Sequence, residues 1–254
     1  MAQRLSKKKQ PRREERVLKE QVKVEEGVFN TRTMLTLRRL FSHAIISSLD
    51  FIISSGKEAD VYMATAGTKV DAEFVIVKIF RVETSSFLKR NVYITGDPRF
   101  GKIKGSIYHL VNEWCKKEYG NLRIASRIGA NVPKPYYFHG NIIAMEFIGT
   151  DGTPSKRLKD VRLANPKETL DEILRQIKLL YSASLVHSDI SEYNILMKDN
   201  KPYLIDFGQA VVLGHPESLN FLRRDISNIV NYFFKKYGIV YDSDQLVSEI
   251  TFEK

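Results

Sequence analysis

The order of apolar and polar positions predicts a strand-rich first half and a helical second half. Residues 1–27 form a charged lead-in. From Asn30 or Thr31, either of which can cap a helix, apolar residues then recur at helical spacing from Met34 to Ile45. We therefore predict a helix in front of the strands.

Three short runs rich in β-formers come next, at Leu49–Ser55, Ala59–Ala64 and Phe74–Phe80. Turn residues separate them, Gly56-Lys57 in the first connection and Gly67-Thr68-Lys69 in the second. Strands connected so closely pair with their sequence neighbours. The pattern predicts an antiparallel meander.

Residues 83–104 have no regular period and contain the breaker Gly96-Asp97-Pro98. Loops longer than about 15 residues are uncommon in compact domains and tend to be functional or mobile, so a mobile loop is predicted here. A helix is predicted from Ser106 to Arg127, and two further strands at Tyr136–His139 and Asn141–Ile148.

The second half reads as mainly helical. Residues 149–164, rich in Gly, Thr, Pro and Lys, are predicted to be a linker. Three helices are predicted after it: one capped by Asn165 with Pro166 at its first position and ending near Ser184, then Leu219–Lys236, then Asp242–Ile250.

The predicted fold class is α+β, with two lobes. An antiparallel β N-lobe would occupy residues 28–148, with its extra N-terminal helix and the loop 83–104, and a mainly helical C-lobe would occupy residues 149–254. A cleft between two such lobes is a natural place for a nucleotide.

Composition bears on the cellular compartment and, through the net charge, on possible partners. Cys115 is the single cysteine, and no apolar run approaches the ~20 residues of a membrane span, so a cytoplasmic protein without a membrane partner is expected. The net charge is +10, and residues 4–23 hold nine Lys and Arg against three Glu. Such an end can neutralise RNA or DNA phosphates, or it can simply be solvated; both readings stay open.

Three oxygen-bearing side chains point to phosphoryl transfer. Asp189 and Asn194 belong to the run His187–Asn194, and Asp206 follows twelve residues after Asn194 to open Asp206-Phe207-Gly208. Asp189 can accept a hydroxyl or water proton, while Asn194 and Asp206 can hold Mg²⁺ on the phosphates of ATP. Mn²⁺ is an alternative metal.

Lys78 lies inside the apolar run Val75–Phe80, where an ammonium needs a partner or solvent. The alternative without function is a Lys on an edge strand that faces water. The position of Lys78 on the third strand, ahead of Asp189 and Asp206, favours a phosphate-binding role instead. Glu118 falls on the apolar stripe of the helix 106–127 and is the expected partner, with Glu113 as the weaker alternative.

The loop Ile53–Val61, between the first two predicted strands, is expected to cover the phosphates. Its candidate binding residues are Ser54, Ser55, Gly56 and Lys57, since backbone N–H groups with serine hydroxyls can bind phosphate oxygens. Its single glycine makes it a weak signal by itself.

The adenine is expected at the end of the β-rich half. Backbone groups of Glu146 and Ile148, beside Met145, can pair with the base edge, and the side chains expected to sandwich the ring are Val61, Ile76 and Leu196. Ordinary core packing would explain the same apolar residues. Two further residues, His187 and Asp225, are expected to brace the catalytic loop rather than react.

These motifs together resemble the RIO family of atypical serine/threonine protein kinases, and most of all its type-one branch and archaeal members. The carriers are residues 54–62, the segment Tyr93-Ile94-Thr95-Gly96-Asp97-Pro98-Arg99-Phe100, His187–Asn194 and Ile205–Gly208. Residues 93–100 are the most specific, because ordinary kinases have nothing similar.

The resemblance implies a trimmed two-lobed kinase fold, ATP and Mg²⁺ as ligands, and a role in maturation of the small ribosomal subunit or contact with its RNA. It also implies an ATPase cycle through a phosphorylated aspartate, which corresponds to Asp206. Only 46 residues follow Gly208, so no platform for a peptide substrate is expected. Autophosphorylation of Ser85, Ser86 or Ser106 is therefore a hypothesis.

Two other functions compete with this interpretation. A small-molecule phosphotransferase of the aminoglycoside or choline kinase type shares the His-x-Asp-x-x-x-x-Asn loop, but normally adds a larger helical domain. A non-catalytic RNA- or ribosome-binding module that uses ATP as a switch would explain the basic lead-in. The complete set of Lys78, Asp189, Asn194 and Asp206 favours an enzyme. The oligomeric state is left open.

Overall fold

The computed structural model describes residues 29–82, 91–101 and 106–252. The charged lead-in at residues 1–27 lies outside them. The helices are α1 Thr31–Ser42, α2 Ile107–Arg127, α3 Pro166–Ser182, α4 Ser218–Tyr237 and α5 Ser243–Phe252. The longer strands are β1 Ile46–Ser55, β2 Ala59–Ala66, β3 Phe74–Phe80, β4 Pro135–His139 and β5 Ile142–Glu146. The shorter ones are β6 Gly149–Thr150, β7 Thr153–Pro154, β8 Lys156–Arg157, β9 Leu185–Val186, β10 Ile195–Lys198, β11 Lys201–Leu204 and β12 Val211–Val212.

The strands β1 to β5 form one antiparallel sheet in the order β1-β2-β3-β5-β4, which confirms the predicted meander. β3 is a central strand, paired with β2 on one side and β5 on the other. Because side chains alternate along a strand, Val75 and Val77 enter the core beneath α1. Ile76 and Lys78 occupy the opposite face and line a cavity. The edge-strand reading of Lys78 is therefore wrong.

The first helix begins where the sequence predicts. Asn30 caps it, since its side-chain oxygen accepts a hydrogen bond from the backbone N–H of Thr33 at 2.9 Å. The helix ends at Ser42, earlier than predicted, and Ala44 adopts a left-handed conformation with a φ of 53°. Ile45 lies beyond the helix but is buried in the same core, which is why it continues the apolar period.

The α+β class is confirmed, and the second half is mainly helical, but residues 149–164 are not the predicted linker. β6 pairs with β7, and β8 pairs with β10 of the hairpin that follows the catalytic run. Leu158 is fully buried. Strands of two residues are too short to produce a period, so composition alone suggested a linker. The lobe boundary at residues 148 and 149 stays a prediction.

The long loop predicted for residues 83–104 is also different where the structure describes it. Residues 83–90 and 102–105, including Ser85 and Ser86, lie outside the described part. The segment 91–101 begins with a 3₁₀ turn, Asn91–Tyr93, and is packed: Ile94 is 2% exposed and Asp97 is 1% exposed. A mobile loop is thus the wrong description of residues 91–101.

The helices of the second half build the larger core, to which α2 also contributes. α3 begins at Pro166 as predicted, yet the side chain of Asn165 does not cap it and donates instead to Glu168 at 3.0 Å. Among the residues that the structure describes, none of the helices combines the length and apolarity needed to cross a membrane.

Candidate active site

Lys78 of β3, Glu118 of α2 and Asp206 meet in one hydrogen-bonded cluster. The ammonium of Lys78 donates to both carboxylate oxygens of Glu118, at 2.7 and 2.9 Å, and to Asp206 Oδ1 at 3.1 Å. The predicted pairing with Glu118 is confirmed. Glu113, the alternative partner, forms an ion pair with Lys116 on the surface of α2.

The electrostatics of the cluster keep Lys78 charged. Burial favours a neutral amine, but the nearby carboxylates of Asp206 and Glu118 outweigh it and raise the pKa of Lys78 above its ordinary value. The three side chains differ in access: those of Lys78 and Glu118 are 12% and 3% exposed, whereas that of Asp206 is 41% exposed. Asp206 is therefore the member that a ligand can reach.

Asp189 is held by two amide side chains. Asn194 Nδ2 donates to the carboxylate oxygen Oδ2 and to the backbone carbonyl of Asp189, both at 2.9 Å. Gln209 Nε2 donates to the same Oδ2 at 3.1 Å. The two amides fix the orientation of the carboxylate. Because the side-chain nitrogen of Asn194 donates to Asp189, the side-chain oxygen of Asn194 is the atom that can bind a cation.

The loop that carries Asp189 is braced from α4. Asp225, which is 1% exposed, accepts hydrogen bonds from the backbone N–H groups of Ser188 at 2.7 Å and Ile190 at 2.9 Å. Burial raises the pKa of Asp225 to about 7, and these two donors oppose that shift. The bracing role predicted for Asp225 is confirmed.

His187 is also a structural residue here. Its Nε2 lies 3.1 Å from the carbonyl of Ile205, and its ring contacts Phe207. Burial lowers the pKa of His187 to about 4, so the imidazole is neutral at physiological pH. A neutral, buried ring that keeps one N–H connects the two functional loops, which fits the bracing role that the sequence predicts.

α2 also contacts the segment that follows Asp206. Asn121 Nδ2 donates to the carbonyls of Phe207 at 3.0 Å and Ala210 at 2.7 Å. Lys117 donates to the carbonyl of Gly208 at 3.0 Å and to that of Ala210. Both side chains are almost fully buried, and burial lowers the pKa of Lys117 to about 7.

Gly208 is required by this close approach. A Cβ at that position would lie 2.8 Å from the indole nitrogen of Trp114 and 3.2 Å from Glu118 Oε2. The backbone at Gly208 therefore lies against α2 with no room for a side chain.

A cavity of about 760 Å³ opens beside this cluster, a volume suited to a small cofactor or nucleotide. Most of the residues selected from the sequence line it: Ser54, Gly56, Lys57, Val61, Ile76, Lys78, Glu118, Met145, Glu146, Ile148, Asn194, Leu196 and Asp206. Asp189 is not in its wall and lies behind Asn194, to which it is hydrogen-bonded.

Ser55 is the candidate that the structure moves away from the cavity. Its hydroxyl donates to Asp60 at 2.7 Å and accepts from Arg81 at 2.8 Å, and Arg81 forms an ion pair with Asp60. β1 ends at Ser55, and strand alternation places Ser54 and Ser55 on opposite faces. Its expected contact with phosphate is therefore not supported.

The far end of the cavity is formed by the connection after β5. Glu146 lines the cavity, and its carboxylate accepts a hydrogen bond from the backbone N–H of Lys134 at 3.0 Å. The carbonyl of Ile148 accepts from Ser155 at 3.0 Å. The base-binding groups predicted there lie in the cavity wall, while their contacts with a nucleotide stay a prediction.

Four residues around the site were not selected from the sequence for it: Lys117, Asn121, Gln209 and Arg224. One signal was available, since Asn121 lies on the apolar stripe of α2 three residues after Glu118, and a polar residue on such a stripe needs a buried partner. Gln209 and Arg224 have no comparable local signal. Their partners are brought to them by chain segments distant in sequence.

Comparison with known proteins identifies the family. A model of the RIO domain matches residues 60–246, which is most of the chain. The chain belongs to the RIO family. RIO-type serine/threonine-protein kinase Rio1 from Haloferax volcanii is 38% identical over 91% of this chain and 79% of the relative. Rio1 from Methanocaldococcus jannaschii is 40% identical over 87% and 75% of the two chains. The resemblance to the type-one branch and to its archaeal members is thus confirmed.

Solved RIO structures agree with the fold. A Rio2 kinase from Chaetomium thermophilum has a TM-score of 0.68 at 20% identity, with 89% of this chain and 72% of that one covered. A second Rio2 structure, described as an ADP/Mg²⁺-phosphoaspartate complex, has a TM-score of 0.67 at 21% identity and covers 85% of this chain. The RIO chain described here spans 65% of that Rio2 chain's length. At these identities the comparison supports the trimmed kinase-like fold alone.

Proposed function

We propose that this RIO protein is an ATP-dependent phosphotransferase that acts as a serine/threonine protein kinase. The single observation that carries the proposal is the Lys78–Glu118 ion pair, which holds a charged amine 3.1 Å from Asp206 at the wall of a nucleotide-sized cavity. The name of the Rio1 relatives supports the same activity. A buried ion pair costs desolvation energy, so its retention beside an open cavity favours a functional role.

The donor set fits Mg²⁺. The oxygen of Asn194 and the exposed carboxylate of Asp206 are hard oxygen ligands, and the cavity reaches both residues. Mg²⁺ at these oxygens would neutralise charge on the β- and γ-phosphates, and Mn²⁺ is an alternative that prefers the same ligands. Lys78 binds the α- and β-phosphates, with Glu118 orienting its ammonium.

The remaining cavity residues position the nucleotide. Ser54 and Lys57 cover the phosphates from the turn at Gly56, whose own N–H donates to the carbonyl of Ala59 at 3.0 Å. The base lies between Val61, Ile76 and Leu196, beside Met145. It pairs with the carbonyl of Glu146 and the N–H of Ile148.

Asp189 acts as the base in the transfer. The hydroxyl oxygen of a serine attacks the γ-phosphorus, its proton passes to Asp189, and the bond to the β,γ-bridging oxygen breaks to release ADP. Gln209 and Asn194 hold the carboxylate in the required orientation. The acceptor is a serine of another protein or of this chain, with Ser85, Ser86 and Ser106 as candidates.

A second activity at the same site is an ATPase cycle. The carboxylate of Asp206 attacks the γ-phosphorus, ADP leaves, and water then hydrolyses the acyl phosphate to restore the carboxylate. Two observations favour it: the access of Asp206 to the cavity, and the phosphoaspartate in the description of the related Rio2 complex.

One experiment tests both activities. The protein is incubated with γ-labelled ATP and Mg²⁺, as wild type, Lys78→Met and the matched surface control Lys69→Met. We expect Lys78→Met to lower kcat/KM by about 10²-fold or more, because phosphate positioning is lost, and Lys69→Met to have no effect. Equal activity of Lys78→Met and the control would reject the assignment.

The same labelled protein separates kinase from ATPase chemistry. Protein-bound label that is released by hydroxylamine indicates an acyl phosphate on Asp206, whereas acid-stable label indicates phosphoserine. A complete lack of Mg²⁺-dependent turnover and of label would contradict the proposed function as a whole.

The small ribosomal subunit or its RNA is the proposed partner. The support is the family resemblance and the excess of Lys and Arg in the lead-in, residues 1–27. We expect a protein lacking these residues to lose salt-sensitive binding to ribosomal RNA while keeping ATP turnover. RNA binding that survives the truncation would remove the lead-in from this role.

A further inference from the structure

The segment 91–101, called here the clamp segment, lies against α2 and α4 beside the active site. The ring of Tyr93 contacts Trp114 of α2 edge-on, with centroids 6.5 Å apart, and Phe221 of α4 at 5.1 Å. Ile94 and Asp97 are buried, and the carbonyl of Val92 is 2.9 Å from His215 Nε2. The clamp segment is thus packed between two helices that each contact a functional loop.

A first chain of hydrogen bonds leads from the clamp segment to the loop that carries Asp206. The carboxylate of Asp97 accepts from Arg99 Nε at 2.9 Å and from Arg99 Nη2 at 2.7 Å, a bidentate arrangement that orients the guanidinium. The third nitrogen, Nη1, donates to Asn121 Oδ1 at 2.7 Å. Asn121 in turn donates to the carbonyls of Phe207 and Ala210.

A second chain leads to the loop that carries Asp189. Arg224 Nη2 donates to the hydroxyl of Tyr93 at 3.3 Å and to the carbonyl of Ser188 at 2.5 Å. The neighbouring Asp225 accepts from the N–H groups of the same loop. The clamp segment therefore has one hydrogen-bonded connection to each functional loop.

Both loops contain a residue that needs external support. Ser188 has a φ of 65° and Asp206 a φ of 66°, in the left-handed region that residues with a side chain rarely adopt. Each such residue costs on the order of 1–3 kcal/mol and persists only where its surroundings enforce it. The first chain ends on the carbonyl of Phe207, directly after Asp206, and on that of Ala210, while the second ends on the carbonyl of Ser188 itself.

We propose that the clamp segment positions the metal-binding and catalytic loops, through Arg99 and Asn121 on one side and Tyr93 and Arg224 on the other. These are positioning residues, since Asp97 and Arg99 are not in the cavity wall. The inference rests on the proposed function, because it assigns Asp206 to Mg²⁺ binding.

Two substitutions test the two connections separately. Arg99→Gln removes the bidentate contact with Asp97 and the bond to Asn121, while Tyr93→Phe removes a single hydroxyl and keeps the ring packing. Arg123→Gln is the matched control, an identical change at an exposed position of α2. The first measurement is hydrogen exchange of the nucleotide-free protein, in peptides that cover 187–192 and 205–212, with peptides of α1 as internal reference.

We expect faster exchange confined to one loop in each variant: 205–212 in Arg99→Gln and 187–192 in Tyr93→Phe. Exchange equal to that of Arg123→Gln would overturn the inference. Faster exchange throughout the chain, α1 included, would also overturn it, because the effect would then be a general loss of stability.

The second measurement is the Mg²⁺ requirement of ATP turnover. The Mg²⁺ concentration for half-maximal rate should rise about tenfold in Arg99→Gln, the size expected for loss of a charge-assisted hydrogen bond, while KM for ATP at saturating Mg²⁺ stays the same. An unchanged Mg²⁺ requirement would contradict the positioning role. If the wild type shows no Mg²⁺-dependent turnover, the proposed function fails, whereas the exchange experiment still decides whether the clamp segment holds the loops.

Discussion

Asp206→Asn is expected to reduce Mg²⁺-dependent ATP turnover to background, a loss of about 10³-fold or more. The substitution removes the most accessible negative charge of the cluster that Asp206 forms with Lys78 and Glu118. Metal-assisted charge stabilisation is worth several kcal/mol, with tenfold in rate for each 1.36 kcal/mol. The fold should survive, because Lys78 keeps its two hydrogen bonds to Glu118. Steady-state turnover and the Mg²⁺ dependence of nucleotide binding are the measurements.

Asp199→Asn is the matched control for this substitution. Asp199 is exposed in the turn between β10 and β11 and is not part of the cavity wall. We expect it to leave turnover unchanged, and both variants to melt near the wild-type temperature. A normal Mg²⁺-dependent rate in Asp206→Asn would show that the metal binds elsewhere and would remove Asp206 from both proposed activities.

Asp189→Asn is expected to lower kcat by about 10² to 10⁴-fold while ATP still binds, the range typical for removal of a general base. The geometry makes this substitution informative. Asn194 and Gln209 both donate to Oδ2 of Asp189, so an asparagine oxygen can take that place and keep the loop in position. The Asp189→Asn variant loses the second carboxylate oxygen, and with it the capacity to accept a proton.

Nucleotide affinity measured alongside kcat separates a chemical defect from a structural one. An unchanged nucleotide affinity with a reduced kcat supports the base role of Asp189. The same role is supported if kcat falls further in Asp189→Asn than in Asp199→Asn. Undiminished turnover in Asp189→Asn would exclude Asp189 as the base.

The predictions from sequence succeeded where a local pattern carries the information. The third strand has the predicted bounds, and its alternation places Lys78 on the face opposite the α1 core. Helical spacing on α2 selected Glu118 over Glu113, and the structure confirms that choice. In each case the deciding contact is a consequence of strand or helix periodicity.

Predictions failed where a segment's structure depends on distant partners. Residues 149–164 looked like a linker, yet β8 pairs with β10, about forty residues away in the sequence. The clamp segment looked like part of a mobile loop, although its Asp97 is buried and its Arg99 donates a hydrogen bond to Asn121 of α2. Ser55 was assigned to phosphate, but its hydroxyl is engaged by Asp60 and Arg81.

The sequence alone determined the chemistry of this protein: which side chains are available for phosphoryl transfer, their order, and the α+β arrangement that carries them. Periodicity and motif spacing are local properties, and they are readable without coordinates. Only the tertiary structure decided how the loops of Asp189 and Asp206 are held. Their supports, Gln209, Arg224 and Asn121, act through hydrogen bonds between distant segments, and such bonds are set by three-dimensional packing and leave little trace in the local pattern.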